Sequence, residues 1–322
     1  MINAYDLKTL SEKFDDVQYS IPQYYFTKQE QLQKYAFIII TPDAIQRGLV
    51  PNIMDFLRKK IVFNIKLLNT CRISIRQLEL LYKYAFKRMF INGELVYWWL
   101  LQESWSVGPC AVMLIHSENC DDKPLIESLL ELKGSYAEKD QMTVRSVFES
   151  TSMIMNIIHS SDDPYNMIRE ASIFFNEFDL YNAIDNPESS EIEFDILNNQ
   201  FLLTDQHSTV NDIINVVRLR TYATISMNLK YSLDKSKDMV ELLISSNTYD
   251  EFIINISNIY ANQFQLFVTA YALSGKKDVP IRDLEKLFET KTILLTEWEK
   301  IVIKNTLLQG IWTQRNDSLF AV

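Results

Sequence analysis

Between Ala36 and Phe175, short apolar runs alternate with stretches whose apolar residues recur every three or four positions, and this alternation limits the possible folds more than any other feature. Ala36–Ile40 is continuous and rich in β-branched residues, as a strand buried on both faces reads, and Thr41-Pro42-Asp43 ends it. Val50–Lys60 follows with Ile53, Phe56 and Leu57 at helical spacing and a basic end, which a helix C-terminus favours. Ile61–Leu68 reads as a second strand and Ser74–Tyr84 as a helix with Ser74 as its N-cap. Cys110–Ile115, led in by Gly108-Pro109, is a third strand, and Pro124–Leu132 a helix that Gly134 ends. Val147–Ile158 supplies a poorly regular fourth strand. Asp163–Phe175 is a helix with Asp163 as N-cap and Pro164 in its first position. The order β-α-β-α-β-α-β-α puts the ferredoxin-like arrangement first among α+β folds.

The rest of the chain has a different character. Residues 1–34 form an N-terminal extension, aromatic from Tyr19 to Phe26. The domain of alternating elements covers 35–181. Residues 182–203 read as a linker, acidic and serine-containing from Asp185 to Glu193 with Pro187 inside it. Residues 204–322 read as an all-α bundle, with helical spacing over Val210–Tyr231, Lys237–Ser246, Tyr249–Leu273, Ile281–Phe288 and Leu294–Ile311.

Composition excludes some roles. A formal net charge of −10 lacks the basic footprint of a nucleic-acid binder, although it leaves a nucleotide enzyme open. Cys71, Cys110 and Cys120 have neither metal nor disulfide spacing and suit a reducing compartment. The first residues, with Asp6, Glu12, Asp15 and Asp16, do not read as a signal peptide, and no run approaches the ~18 apolar residues of a membrane helix. The expectation is a soluble cytoplasmic protein without membrane partners.

The chemistry concentrates in Met155-Asn156-Ile157-Ile158-His159-Ser160-Ser161-Asp162. A histidine here follows an apolar run, and neutral imidazole is a good nucleophile toward phosphorus. His116 and His207 lack such a block and read as structural or surface positions. Three further blocks precede it: Ala36 to Val50 with the core Pro42-Asp43-x-x-Gln46-Arg47-Gly48-Leu49-Val50, then Gly108-Pro109, then Thr143-Val144-Arg145. Together, and with Glu170 and Phe175 following, they resemble the nucleoside diphosphate kinase family over about 36–175.

That resemblance implies a four-stranded antiparallel ferredoxin-like sheet and a ping-pong transfer of phosphate from a nucleoside triphosphate to His159 and on to a second nucleotide. It implies that Glu170 accepts a hydrogen bond from the other ring nitrogen of His159, with Ser161 orienting the carboxylate. Arg145 would clamp phosphate bidentately and Asn156 would donate to ribose or phosphate oxygens. Phe90 matches the aromatic on which the base stacks, and Tyr82 the tyrosine near the transferred phosphate. Mg²⁺ would bridge the nucleotide's own phosphates, with no protein ligands. Nucleotides are the implied partners; the helical domain, outside the resemblance, could cap the site, bind a second copy of the chain or bind a protein partner.

Departures from the pattern bear on rate. Thr41 stands where the family has a phosphate-contacting lysine, and Ala44 where it has glycine. Losing one preorganised contact of that kind typically costs about 3–4 kcal/mol of transition-state stabilisation. Leu130 matches an arginine, with Lys133 nearby as a possible substitute, and Ser135 or Tyr136 falls where a threonine touches phosphate. Trp98, Trp99 and Trp105 enrich a segment longer than the family's. The expected function is a specialised phosphotransferase; the alternative is a catalytically weak or inactive nucleotide-binding module that serves regulation or interaction.

Overall fold

The computed structural model describes residues 22–84, 90–91, 94–95, 98–120, 123–135, 142–150, 152–188 and 192 within a first compact unit, Met1–His207. In a second unit, Ser208–Val322, it describes residues 210, 213, 217, 285, 288–289 and 295–306. The first unit runs α1 (Gln23–Phe26), α2 (Gln29–Leu32), β1 (Tyr35–Ile40), α3 (Pro42–Gln46), α4 (Val50–Arg58), β2 (Asn64–Cys71) and α5 (Ile75–Leu81). It continues with β3 (Phe90–Ile91), β4 (Glu94–Leu95), α6 (Trp98–Ser106), β5 (Cys110–His116), α7 (Leu125–Lys133), α8 (Val144–Val147), β6 (Ile158–Ser160), α9 (Pro164–Ala171) and α10 (Glu177–Asp185).

β2, β5, β1 and β6 form one antiparallel sheet in that order, and β3 and β4 a separate hairpin. Taken in chain sequence, the four long-range strands lie 2-3-1-4, which is the expected ferredoxin-like order. The central strands β1 and β5 are buried at every position, as their uninterrupted apolar runs require, whereas the edge strand β2 is only partly covered. β1 places Ile39 opposite Val112 on one side and His159 on the other, so the histidine is registered against the middle of the sheet.

Local chemistry sets the helix ends. Ser74 and Gln77 make a reciprocal capping box at α5. Asp163 accepts the Asn166 amide at 2.8 Å at the start of α9, with Pro164 in the first turn. Gly134 ends α7 with φ 70°, and a Cβ there would lie 2.3 Å from Thr143 Oγ1; only glycine lets α7 and α8 come this close.

Some expectations fail for identifiable reasons. The fourth strand was expected over 147–158, but Val144–Val147 is a helical turn and only Ile158–Ser160 is strand. Side chains between them bind local backbone instead of leaving it for a ladder. Ser152 Oγ accepts the Ile154 and Met155 amides, Ser150 Oγ donates to Met155 O, and Asn156 Nδ2 donates to Met153 O. The helix expected through Phe175 stops at Ala171, and Asn176 caps a new one by accepting the Asp179 amide at 2.9 Å. That helix, α10, runs to Asp185, so the stretch expected as linker from residue 182 opens in helix. Within the expected extension, residues 1–21 lie outside the described set. Its remainder packs on α10, with Tyr24 and Tyr181 ring centroids 4.3 Å apart and Lys28 paired to Asp185 at 2.8 Å.

In the second unit, residues 297–306 are helical behind a capping box in which Thr296 Oγ1 accepts the Glu299 amide and Glu299 Oε2 accepts the Thr296 amide. The segments expected as helices at 237–246 and 249–273 lie outside the described residues, as do most of 210–231 and 281–288 and the ends of 294–311. Among the described residues no helix is long and apolar enough to cross a membrane.

Candidate active site

β6 and α9 bring His159, Ser161 and Glu170 together. His159 Nε2 lies 2.8 Å from Glu170 Oε2, and Ser161 Oγ donates to the same oxygen at 2.7 Å. The other carboxylate oxygen accepts from Arg169 Nη2 at 2.9 Å. Glu170 is thus a buried carboxylate bonded on both oxygens. Burial pushes its pKa up, but His159, Arg169 and the Ser161 hydroxyl outweigh that and hold it below the usual glutamate value. A carboxylate acceptor fixes the proton on Nε2 and leaves the lone pair on Nδ1. The imidazole keeps some access to solvent, 17% of its side chain, against 6% for Glu170.

Arg169 was not singled out by sequence reasoning. Its guanidinium donates to Leu80 O at 2.6 Å and to Asn166 Oδ1 at 3.1 Å, and packs over the Tyr84 ring at 4.9 Å. It therefore ties α9 to the end of α5 and holds Glu170 from behind. The available signal was its position directly before Glu170 on an amphipathic helix.

A second layer lies at the end of β1. The Thr41 hydroxyl donates to Asp43 Oδ1, while Asp43 Oδ2 accepts the Ile157 amide at 3.3 Å. Thr41 N–H in turn donates to Ile157 O at 3.2 Å. Ile157 has φ 58°, a left-handed conformation that a β-branched residue rarely adopts. The Pro-Asp pair was visible in the sequence as part of a block, but no role for Asp43 was drawn from it.

Tyr82 Oη, Asn156 Oδ1 and Ser160 Oγ are buried with no hydrogen bond of good geometry among the described residues, although the Asn156 side chain lies close enough to act on the Tyr82 hydroxyl. The Tyr82 ring centroid is 6.0 Å from that of His159 and packs edge-on to Trp105. Burial pushes the Tyr82 hydroxyl well above its ordinary pKa, so it is a neutral donor. Tyr82 and Asn156 were both expected to touch nucleotide; Tyr82 lies beside His159, and the Asn156 side chain acts on the Tyr82 hydroxyl. Trp105 is fully buried in α6. Phe90 belongs to β3, and its side chain lies outside the described set.

Arg145, expected as a phosphate clamp, is engaged otherwise in this structure. Its Nε, Nη1 and Nη2 donate to Asn156 O at 3.4 Å, Gly134 O at 3.1 Å and Ile158 O at 3.1 Å. As placed, it braces the approach to β6. Lys133 Nζ donates to Ser160 O at 3.3 Å. Leu130 precedes it by one turn of α7, and Tyr136 lies outside the described residues. His116, expected to be structural, is buried, packs on Tyr35 at 4.6 Å and meets Glu118 at 3.3 Å; His207 is outside the described set.

Among the described residues no three His, Cys, Asp or Glu side chains cluster as a metal site. Glu170, beside the imidazole, and Asp43, at the end of β1, each bind protein donors through both oxygens. Such a donor set suits a cation that arrives already coordinated by a ligand's phosphates.

The sequence profile of the nucleoside diphosphate kinase family matches residues 34–180. The chain is 29% identical over 148 residues to the nucleoside diphosphate kinase of Lawsonia intracellularis, covering 45% of this chain and 97% of that protein. To the enzyme of the same name from Halalkalibacterium halodurans it is 30% identical over 148 residues, covering 45% and 90%. A solved structure of the Aquifex aeolicus nucleoside diphosphate kinase is similar at 24% identity and a TM-score of 0.37, covering 45% of this chain and 97% of that one.

Proposed function

The chain belongs to the nucleoside diphosphate kinase family, and on that premise we propose that it moves phosphate between nucleotides through a phosphohistidine at His159. The observation that carries this reading is the Ser161–Glu170–His159 chain, with its 2.7 and 2.8 Å contacts. It supports a lone pair on Nδ1 and keeps the imidazole from turning.

In the first half-reaction Nδ1 attacks the terminal phosphorus of a bound nucleoside triphosphate. The N–P bond forms, the bridging P–O bond breaks, and its electron pair leaves on the nucleoside diphosphate. The ring becomes cationic, and Glu170, anionic at neutral pH, stabilises that charge through the Nε2 proton. In the second half-reaction a terminal oxygen of an acceptor nucleoside diphosphate attacks the same phosphorus, and the N–P electrons return to Nδ1. The substrate is the Mg²⁺ complex of the nucleotide, whose metal neutralises phosphate charge. Tyr82 Oη and the Asn156 amide are proposed to meet phosphate or ribose oxygens, and Phe90 the base. Arg145 would reach phosphate by giving up carbonyl contacts; otherwise it positions β6.

A second reading, a nucleotide-binding module without transfer, is favoured by the Thr41 hydroxyl, which turns into Asp43 and leaves no cation at that position. Labelling tests both. Terminally labelled MgATP should leave an acid-labile, alkali-stable label on the wild type and none on His159→Ala. Tight binding with no label would favour the second reading. We propose a cytoplasmic setting, which suits cysteines that form no disulfide among the described residues, and a second copy or a protein partner for residues 204–322.

A further inference from the structure

Among the described residues β6 has one neighbour in the sheet, β1, and its other edge pairs with no described strand. Around it, Thr41 N–H donates to Ile157 O and Ser161 N–H to Phe37 O, which turns the carbonyls of Ile158 and Ser160 outward. Arg145 binds the first at 3.1 Å and Lys133 the second at 3.3 Å. Two cations from different segments therefore bracket His159 along one strand edge.

The charge of Lys133 is poorly met. Its side chain is 12% exposed, yet the carboxylate paired with it, Asp162, sits at 3.8 Å on a side chain that is 76% exposed. A carbonyl, that solvated carboxylate and the charge of Glu170 acting on the amine do not offset the cost of sheltering an ammonium ion. Burial first, and Arg145 second, pull the amine down to about 8. With Ser160 O and the Asp162 carboxylate as its acceptors, one of its three N–H groups remains for a further acceptor. The group that completes such an environment is an anion, and the residue between the two bound carbonyls is the proposed phosphate acceptor. At the end of β1 the side chain is the uncharged Thr41, bonded to Asp43, and Arg47, whose charge acts on Asp43, donates to Phe148 O and Glu149 O.

We propose that Lys133 supplies the positive charge that receives the transferred phosphoryl group beside His159, in place of a cation at the end of β1. This rests on the phosphotransfer reading above. Lys133 keeps its protons throughout; its N–H groups donate to the non-bridging oxygens of the terminal phosphate as charge builds there, and the N–P and P–O bond changes are those already given.

The experiment follows phosphorylation of His159 by MgATP in the wild type, Lys133→Met and Lys133→Arg. The second-order rate constant is read across pH, because it reports ionisations of the free enzyme. Lys133→Met should lower it about 10²–10³-fold, the usual effect of deleting one preorganised contact. In the wild type the constant should fall as pH rises through the amine's titration. In Lys133→Arg that alkaline fall should vanish, because a guanidinium stays charged. A purely structural lysine would not produce this exchange. Melting curves should show Lys133→Met at least as stable as the wild type, since a sheltered charge is removed. Equal rate constants for wild type and Lys133→Met would overturn the assignment and leave the phosphotransfer reading standing. If the wild type takes no label, the phosphotransfer reading fails, and calorimetric binding of MgATP decides on Lys133: at least tenfold weaker binding by Lys133→Met keeps it as the phosphate cation, and equal binding removes it.

Discussion

Asp43 and Ile157 hold one another in place across 114 positions of sequence: the carboxylate accepts the Ile157 amide at 3.3 Å, and Ile157 carries a φ of 58° immediately before the strand of His159. A strained residue of this kind persists only where its surroundings fix it. Asp43→Ala removes the acceptor for a buried amide and for the Thr41 hydroxyl together. The expected loss of stability is about 2–4 kcal/mol in chemical denaturation. The phosphorylation rate should fall as well, because β6 loses its anchor.

The pH dependence of stability follows from the same carboxyl. Burial raises the Asp43 pKa, against the opposing pull of Thr41 and Arg47. A carboxyl that binds its proton more tightly when folded stabilises the fold most below its unfolded pKa of about 3.9 and progressively less as pH rises through the folded value. Asp43→Asn should flatten that decline. Glu170 has the opposite sign: its pKa is lowered, so its contribution is present above the ordinary glutamate value and is lost as pH falls through the folded one. Denaturation midpoints of wild type, Asp43→Asn and Glu170→Gln, taken from about pH 3 to 7, separate the two.

Tyr82 separates stability from function. Its buried hydroxyl meets the Asn156 side chain, so Tyr82→Phe should lower stability by no more than about 1 kcal/mol. Nucleotide affinity or the phosphorylation rate should fall about five- to tenfold if a bound phosphate normally takes that hydrogen bond. Unchanged kinetics would remove Tyr82 from the site.

Gly134→Ala would place a Cβ 2.3 Å from Thr143 Oγ1 at a positive φ. About 2–4 kcal/mol of stability should be lost. Since Arg145 donates to Gly134 O, the displacement should also reach Ile158 and lower the phosphorylation rate.

Much of the fold was legible because β1 and β5 are uninterrupted apolar runs and Asp163-Pro164, Ser74 and Gly134 are strong helix punctuation. The triad was legible because His159, Ser161 and Glu170 are close in sequence and the contact needs only one strand end and one helix turn. Asp43, Arg169 and the engagement of Arg145 were not legible, because their partners are mostly backbone atoms: Ile157 N and Leu80 O far away in the sequence, and Gly134 O and Ile158 O closer by. A residue type advertises its side-chain chemistry and says little about which remote carbonyl it will meet. The region from 147 to 158 misled for a related reason. Its apolar residues promised a strand, while Ser150, Ser152 and Asn156 supplied competing local bonds.

The ion-capped carbonyls of β6 also bear on self-association. An unpaired strand edge is a template on which a stray chain can add a further strand. Here Arg145 and Lys133 occupy the two outward carbonyls, and on the far margin of the sheet Ile65 O accepts the Ile192 amide at 3.1 Å. Both rims are blunted by contacts from other segments of the chain, earlier ones at β6 and a later one at β2. Neutralising the pair at β6 should therefore favour aggregation during refolding, at a cost separate from any loss of phosphotransfer.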